Sequence, residues 1–207
     1  MRLPNSEHLS HPWRIQDVVP DFTLEDVWAL PVHGGAGEFQ ALIQLMASAC
    51  PGDVKSGPAR LLWDIRDRLG AWLDLGRISA PAGNGSDRAP TRLPIPGTSE
   101  PSLSDRLPAD LRDTAAGLHF DCLPFTPLYR TDVEFGAEIS NKTVHGVMHL
   151  AWVDEGDGRY GGQMAVYVKP RGRFGRQYMA FITPFRHWIV YPALLRQIER
   201  AWQARGL

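Results

Sequence analysis

Two long alternating runs, Thr143 to Val153 and Tyr160 to Lys169, are joined by Asp154-Glu155-Gly156-Asp157-Gly158, and this pairing constrains the fold more than any other feature. Asp and Gly at such a joint reverse the chain tightly, so the runs form an antiparallel hairpin. With Val153 opposite Arg159, one face carries Val144/Val168, Gly146/Val166, Met148/Met164, Leu150/Gly162 and Trp152/Tyr160. The other carries His145/Tyr167, Val147/Ala165 and His149/Gln163. Successive strand residues alternate faces, so the apolar set must cover a core and the mixed set looks the other way.

The rest of the chain supplies further strands and several helices. Trp13 to Val19 alternates partially and reads as a first strand closed by Pro20. Thr23 suits the N-cap of a short helix over 24–30, with Glu25 and Asp26 in its first turn. Phe39, Leu42, Ile43 and Met46 give helical spacing over 38–49, and Leu61, Leu62, Ile65, Leu69, Trp72 and Leu73 give it over 58–75. Residues 79–108 hold six Pro, three Gly and five Ser, and read as a flexible excursion within a single domain, 1–207. Leu128 to Ile139 reads as a strand pair or bent strand, and 177–183 as another strand. A final helical stripe, Trp188, Tyr191, Leu195, Ile198 and Trp202, runs through 185–204, with Pro192 either kinking it or marking its start. Helices on one side of an antiparallel meander define the α+β class.

The segments 23–30, 143–150, 162–170 and 184–194 resemble an uncharacterised bacterial domain-of-unknown-function family over nearly the whole chain except 79–108. The element order also resembles the helix-grip fold of START and Bet v 1 type proteins. That second resemblance implies a curved sheet wrapping the last helix around a cavity for apolar ligands. The chain departs from that pattern by placing about 50 residues between Gly76 and Leu128.

At 207 residues and 43% apolar content the chain can bury a sizeable core without staples, and its formal charge of −1 argues against nucleic-acid binding. Cys50 and Cys122 lie far apart without ligand spacing, so a reducing, cytoplasmic setting is expected, with Cys122 buried. No apolar run reaches the length of a membrane span, and the first residues lack a secretory pattern.

The expected ligand is a small hydrophobic molecule held between sheet and last helix. Its lining would come from Val144, Met148, Leu150, Trp152, Met164, Val166, Met179, Phe181, Trp188 and Leu195, with Arg186 at the cavity mouth. An alternative is a cofactor-independent cyclase, dehydratase or hydrolase, with His187, His145, His149 and Tyr167 as the candidate acid/base groups. A third reading is a homodimer formed through the His145/Tyr167 face. Four strand residues separate His145 from His149 by about 13 Å, so the two do not chelate one metal, and no cofactor or metal is expected. Glu134, Glu138 and Asp132 read as solvated acids. The basic group Arg159, Lys169, Arg171, Arg173 and Arg176 reads as a solvated turn, and Gly34-Gly35-Ala36-Gly37 lacks the Lys-Ser/Thr of a phosphate loop.

Overall fold

The computed structural model describes residues 1–49, 102–140, 144–172 and 186–205. Their elements run β1 (Arg2–Leu3), α1 (Asn5–Leu9), α2 (Ile15–Val18), β2 (Thr23–Gly34), α3 (Phe39–Ser48), β3 (Thr126–Arg130), β4 (Glu134–Ser140), β5 (Val144–Gly156), β6 (Arg159–Pro170) and α4 (Tyr191–Ala204). Short 3-10 turns occupy Ala36–Glu38 and Leu103–Arg106, and a π-helical turn, Arg186–Val190, leads into α4. The strands form one antiparallel sheet in the order β1-β2-β6-β5-β4-β3. This is an α+β architecture, and Pro192 marks the start of α4. The expected helix over 58–75, the strand over 177–183 and most of the 79–108 stretch lie outside the described residues. Within that stretch, Leu103 and Leu107 are buried.

Two local expectations are corrected. Trp13 to Val19 is not a strand: Ile15, Val18 and Val19 fall at three- and four-residue spacing, and one helical turn buries all three. The 24–30 segment is not a helix but the middle of β2, paired with β6. Its capping residue and early acids favour a helix locally, yet Val27, Trp28 and Val32 fit a pleated surface buried on both sides. Two irregularities break the β2–β6 register, between Leu24 and Asp26 and between Ala29 and His33, and the second accommodates Pro31.

The hairpin forms where expected with the same residues on each face, but two residues out of the expected register. Met148 opposes Val166, Leu150 opposes Met164 and Trp152 opposes Gly162. The reversal tightens to Asp157-Gly158, whose φ angles of 53° and 74° are both positive, as a type I′ turn requires. A shift of two leaves every side chain on its face. It does undo the expected pairings, since His145 now opposes Lys169 and His149 opposes Ala165.

Each face of the sheet is covered. On the helix side Trp28, Leu30, Val32, Met148, Leu150, Trp152 and Met164 pack with Phe39, Leu42, Ile43 and Met46 of α3 and with Tyr191 and Ile198 of α4. On the opposite side Val27, Val147, Ala151, Ala165 and Tyr167 pack under Trp13, Ile15, Val18, Val19, Leu103, Leu107 and Leu111. The mixed face is therefore buried under the chain's own first residues and the segment from Leu103. It is not open to solvent or to a second copy, and the dimer expectation loses its surface.

Candidate functional site

Of the expected apolar lining, Met148, Leu150, Trp152 and Met164 are almost fully buried and Val166 and Leu195 partly so. Val144 is half-buried at the start of β5. Trp188 points to solvent, with 83% of its surface exposed, because the π-helical turn directs it away from the sheet. Met179 and Phe181 lie outside the described residues, and only the backbone of Arg186 lies within them.

The four candidate acid/base residues divide between the faces. His187 stands on the helix side, where the apolar pattern is interrupted by one carboxylate. Asp26 is 1% exposed. Its Oδ1 accepts the Trp28 indole N–H at 3.0 Å, and its Oδ2 lies 3.1 Å from His187 Nε2. The register break around Glu25 puts Asp26 there: Leu24 aligns with Tyr167 on the far face, while Asp26 aligns with Val166 on the helix face. His187 retains 16% side-chain exposure and packs edge-on to Trp28 and stacked with Tyr191. A carboxylate holding Nε2–H leaves Nδ1 as the lone-pair nitrogen, and it fixes both ring orientation and tautomer. Sequence reasoning found His187 but missed Asp26 by assigning it to a helix. The alternation Asp26, Trp28, Leu30, Val32 was the available signal.

His145, His149 and Tyr167 stand on the opposite face, where Glu134 and Glu138, expected as solvated acids, are 5% and 0% exposed. Glu134 Oε2 accepts from Tyr129 Oη at 3.0 Å and from His149 Nε2 at 3.2 Å, and its Oε1 accepts the Arg14 backbone N–H at 3.1 Å. Gly136 makes this possible, since a Cβ there would meet the Tyr129 ring at 2.7 Å. Glu138 Oε2 lies 3.0 Å from His145 Nε2 and accepts the Leu103 N–H at 3.1 Å, while Ser102 Oγ donates to Oε1. These pairs exist because each histidine of β5 lies diagonally across from a β4 glutamate.

His8 of α1 completes the first network. Its Nδ1 donates to Gln163 Oε1, and burial first, then the neighbouring His149, holds its pKa down to about 4. Burial likewise depresses His149. Burial works to raise the Glu134 carboxyl, but the bonds from His149, the Arg14 N–H and Tyr129 outweigh it and keep it below its usual value. Burial and the adjacent Glu134 push both Tyr129 and Tyr167 upward. The pair is thus a neutral imidazole on a carboxylate. Neither His8 nor Trp13 carried a signal in the sequence, because they reach this centre through the path of residues 1–22.

Other expectations resolve simply. Cys122 is exposed and disulfide-bonded rather than a buried thiol, so the premise for a reducing compartment falls; Cys50, the chain's other cysteine, lies outside the described residues. His119 and Asp121, which lie beside Cys122 in the sequence, are 3.6 Å apart and exposed, and so form no nucleophile-activating pair with a free thiol. The Gly34–Gly37 turn uses Glu38 to accept the Gly35 N–H at 2.8 Å, and a carboxylate there disfavours phosphate. Arg159 pairs with Glu155, Lys169 with Asp21, and Arg171 donates to Ser140 Oγ, while Arg173 and Arg176 lie outside the described residues. A groove of about 900 Å³, lined by Phe39, Gln40, Thr114 and Arg130 among others, contains none of the expected site residues. No described helix is long and apolar enough to cross a membrane.

A family model described as a protein of unknown function, DUF2867, matches residues 18–193, and the chain belongs to that family. No curated protein matches the chain, and no solved structure matches it.

Proposed function

We propose that this member of the DUF2867 family binds a small, largely apolar molecule where β2 meets the turn into α4, and that His187 acts on it as a general base positioned by Asp26. The observation that carries this reading is the Asp26 carboxylate, buried in an otherwise apolar face and holding a histidine that still reaches solvent. Burying a carboxylate is costly unless its oxygens are paired, and here one oxygen holds Trp28 and the other the imidazole. The remaining imidazole nitrogen carries the lone pair that a general base needs, which favours proton transfer as the reaction class, as in dehydration, isomerisation or cyclisation. Trp28 and Tyr191, with ring centres 4.7 Å apart, supply the apolar contact. The middle of the same face is filled, since Leu150, Trp152 and Met164 are at most 2% exposed, so the reading puts the ligand at the α4 end. The helix-grip resemblance of the element order agrees with a ligand on this side.

The test compares wild type with Trp28→Ala, His187→Gln and Asp26→Asn, using the fluorescent probe 1-anilinonaphthalene-8-sulfonate and compounds that displace it. The expected result is probe binding by folded wild type, weakened in Trp28→Ala and retained in His187→Gln. Any turnover found for a displacing compound should vanish in His187→Gln and fall with changed pH dependence in Asp26→Asn. Failure of the folded protein to bind the probe, or turnover indifferent to His187, contradicts the reading.

A further inference from the structure

The buried centre on the opposite face contains four polar atoms without a hydrogen-bond partner: His8 Nε2, His149 Nδ1, Tyr167 Oη and Trp13 Nε1. They belong to rings packed around one another. The His8 ring centre is 5.2 Å from that of His149, 5.9 Å from Tyr167 and 6.0 Å from Trp13, and Trp13 is 5.8 Å from His149. Orphaned buried groups are costly singly, and four in one place ask for an occupant. The outer nitrogen of each imidazole is already anchored, His8 Nδ1 by Gln163 and His149 Nε2 by Glu134. That leaves the second nitrogen of each ring, His8 Nε2 and His149 Nδ1, buried and without a partner, and an outer partner on the first nitrogen is how a metal-binding histidine is commonly oriented.

We propose that His8 Nε2 and His149 Nδ1, with Tyr167 Oη, form a binding site for one divalent transition-metal ion of the zinc type. Three considerations select a metal over an organic ligand. Both imidazoles are 0% exposed, so no water-sized space touches them, whereas an ion in direct contact with nitrogen needs less room than a water. Two imidazoles on one tetrahedral ion at about 2.0–2.1 Å have ring centres about 5 Å apart, close to the 5.2 Å between His8 and His149. The charge also suits a cation: Glu134 adjoins the centre, and the guanidinium of Arg14 turns outward to Asp110. Among the described residues no three His, Cys, Asp or Glu side chains gather around one point. The protein donors are therefore two imidazoles with the neutral Tyr167 phenol as a weaker third, and a fourth, solvent ligand would enter with the ion only by displacing Trp13, whose N–H lacks a partner. His8 comes from α1 and His149 and Tyr167 from the sheet, so the ion would staple residues 1–22 to the strands they cover. This site lies on the far side of the sheet from Asp26 and His187 and stands independently of the reading given for them.

The experiment is equilibrium dialysis of the chelator-stripped full chain against zinc, with metal counted by mass spectrometry and cobalt substitution followed by absorption. The expected result is one zinc per chain, a melting temperature that climbs with free zinc, and the visible bands of four-coordinate cobalt. His8→Gln and His149→Gln should each abolish binding while keeping the far-ultraviolet dichroism of the fold. Gln163→Leu should weaken it about 10–100-fold, as loss of an orienting partner does. No zinc retained by wild type overturns the proposal. So does zinc retained equally by both histidine variants, or lost only on His33→Ala, which would assign it to the exposed His33–Glu155 pair.

Discussion

Acidification tests the buried His8–His149 centre quantitatively. The folded chain resists protonating His8 down to about pH 4, whereas the unfolded chain accepts the proton near 6.5. The unfolded state therefore binds more protons between these values, and stability falls as the pH drops through them. The contribution is fully present above pH 6.5 and fully lost below about pH 4. By pH 5 the loss amounts to about 2 kcal/mol from His8 alone, with His149 acting in the same sense. For a chain of this length that lowers the melting temperature by about 4–8 °C. The assay is calorimetric or urea unfolding between pH 7.5 and 5.0 with chelator present, for wild type and His8→Gln. Wild type should show the full slope and His8→Gln a slope reduced by the His8 share. Identical slopes in the two proteins, or a His8 ring that titrates near 6.5 by NMR, would refute the reasoning.

Three further outcomes follow from the packing. Gly136→Ala places a methyl 2.7 Å from the Tyr129 ring and should cost about 1–3 kcal/mol in urea unfolding, with loss of the Tyr129–Glu134 bond. Glu134→Gln replaces an acceptor of three hydrogen bonds with a group that can keep only part of them, and should cost about 1–3 kcal/mol by the same measurement. Trp188→Ser, at an exposed position, should leave stability within about 0.5 kcal/mol, and a larger loss would mean that Trp188 packs against something.

How much of this was legible in the sequence depended on whether local pattern or distant packing decided the outcome. The hairpin, the α+β class, α3 and the terminal helix were legible because alternation, turn chemistry and three-to-four spacing act locally. The register was not: a five-residue punctuation run concealed which two residues turn, and the Asp157-Gly158 pair decided it. β2 was misread because Thr23 and its neighbouring acids suit a helix start, whereas pairing with β6 settled the matter. The faces of β5 and β6 were assigned correctly, but the environment of the polar face was not. What covers it comes from residues 1–22 and from the segment after 102, more than a hundred and about forty positions away from His149 respectively. For the same reason Glu134 and Glu138 read as solvated acids while the fold buries them beside histidines.

The most direct measurement of the central functional claim is native mass spectrometry of the full-length chain as purified, followed by denaturation and solvent extraction. The account predicts an adduct in the mass range of a small organic molecule, released on unfolding, extractable as an apolar compound and absent from Trp28→Ala. A protein that flies at its bare chain mass and still binds no apolar probe when folded would contradict a ligand site between β2 and α4.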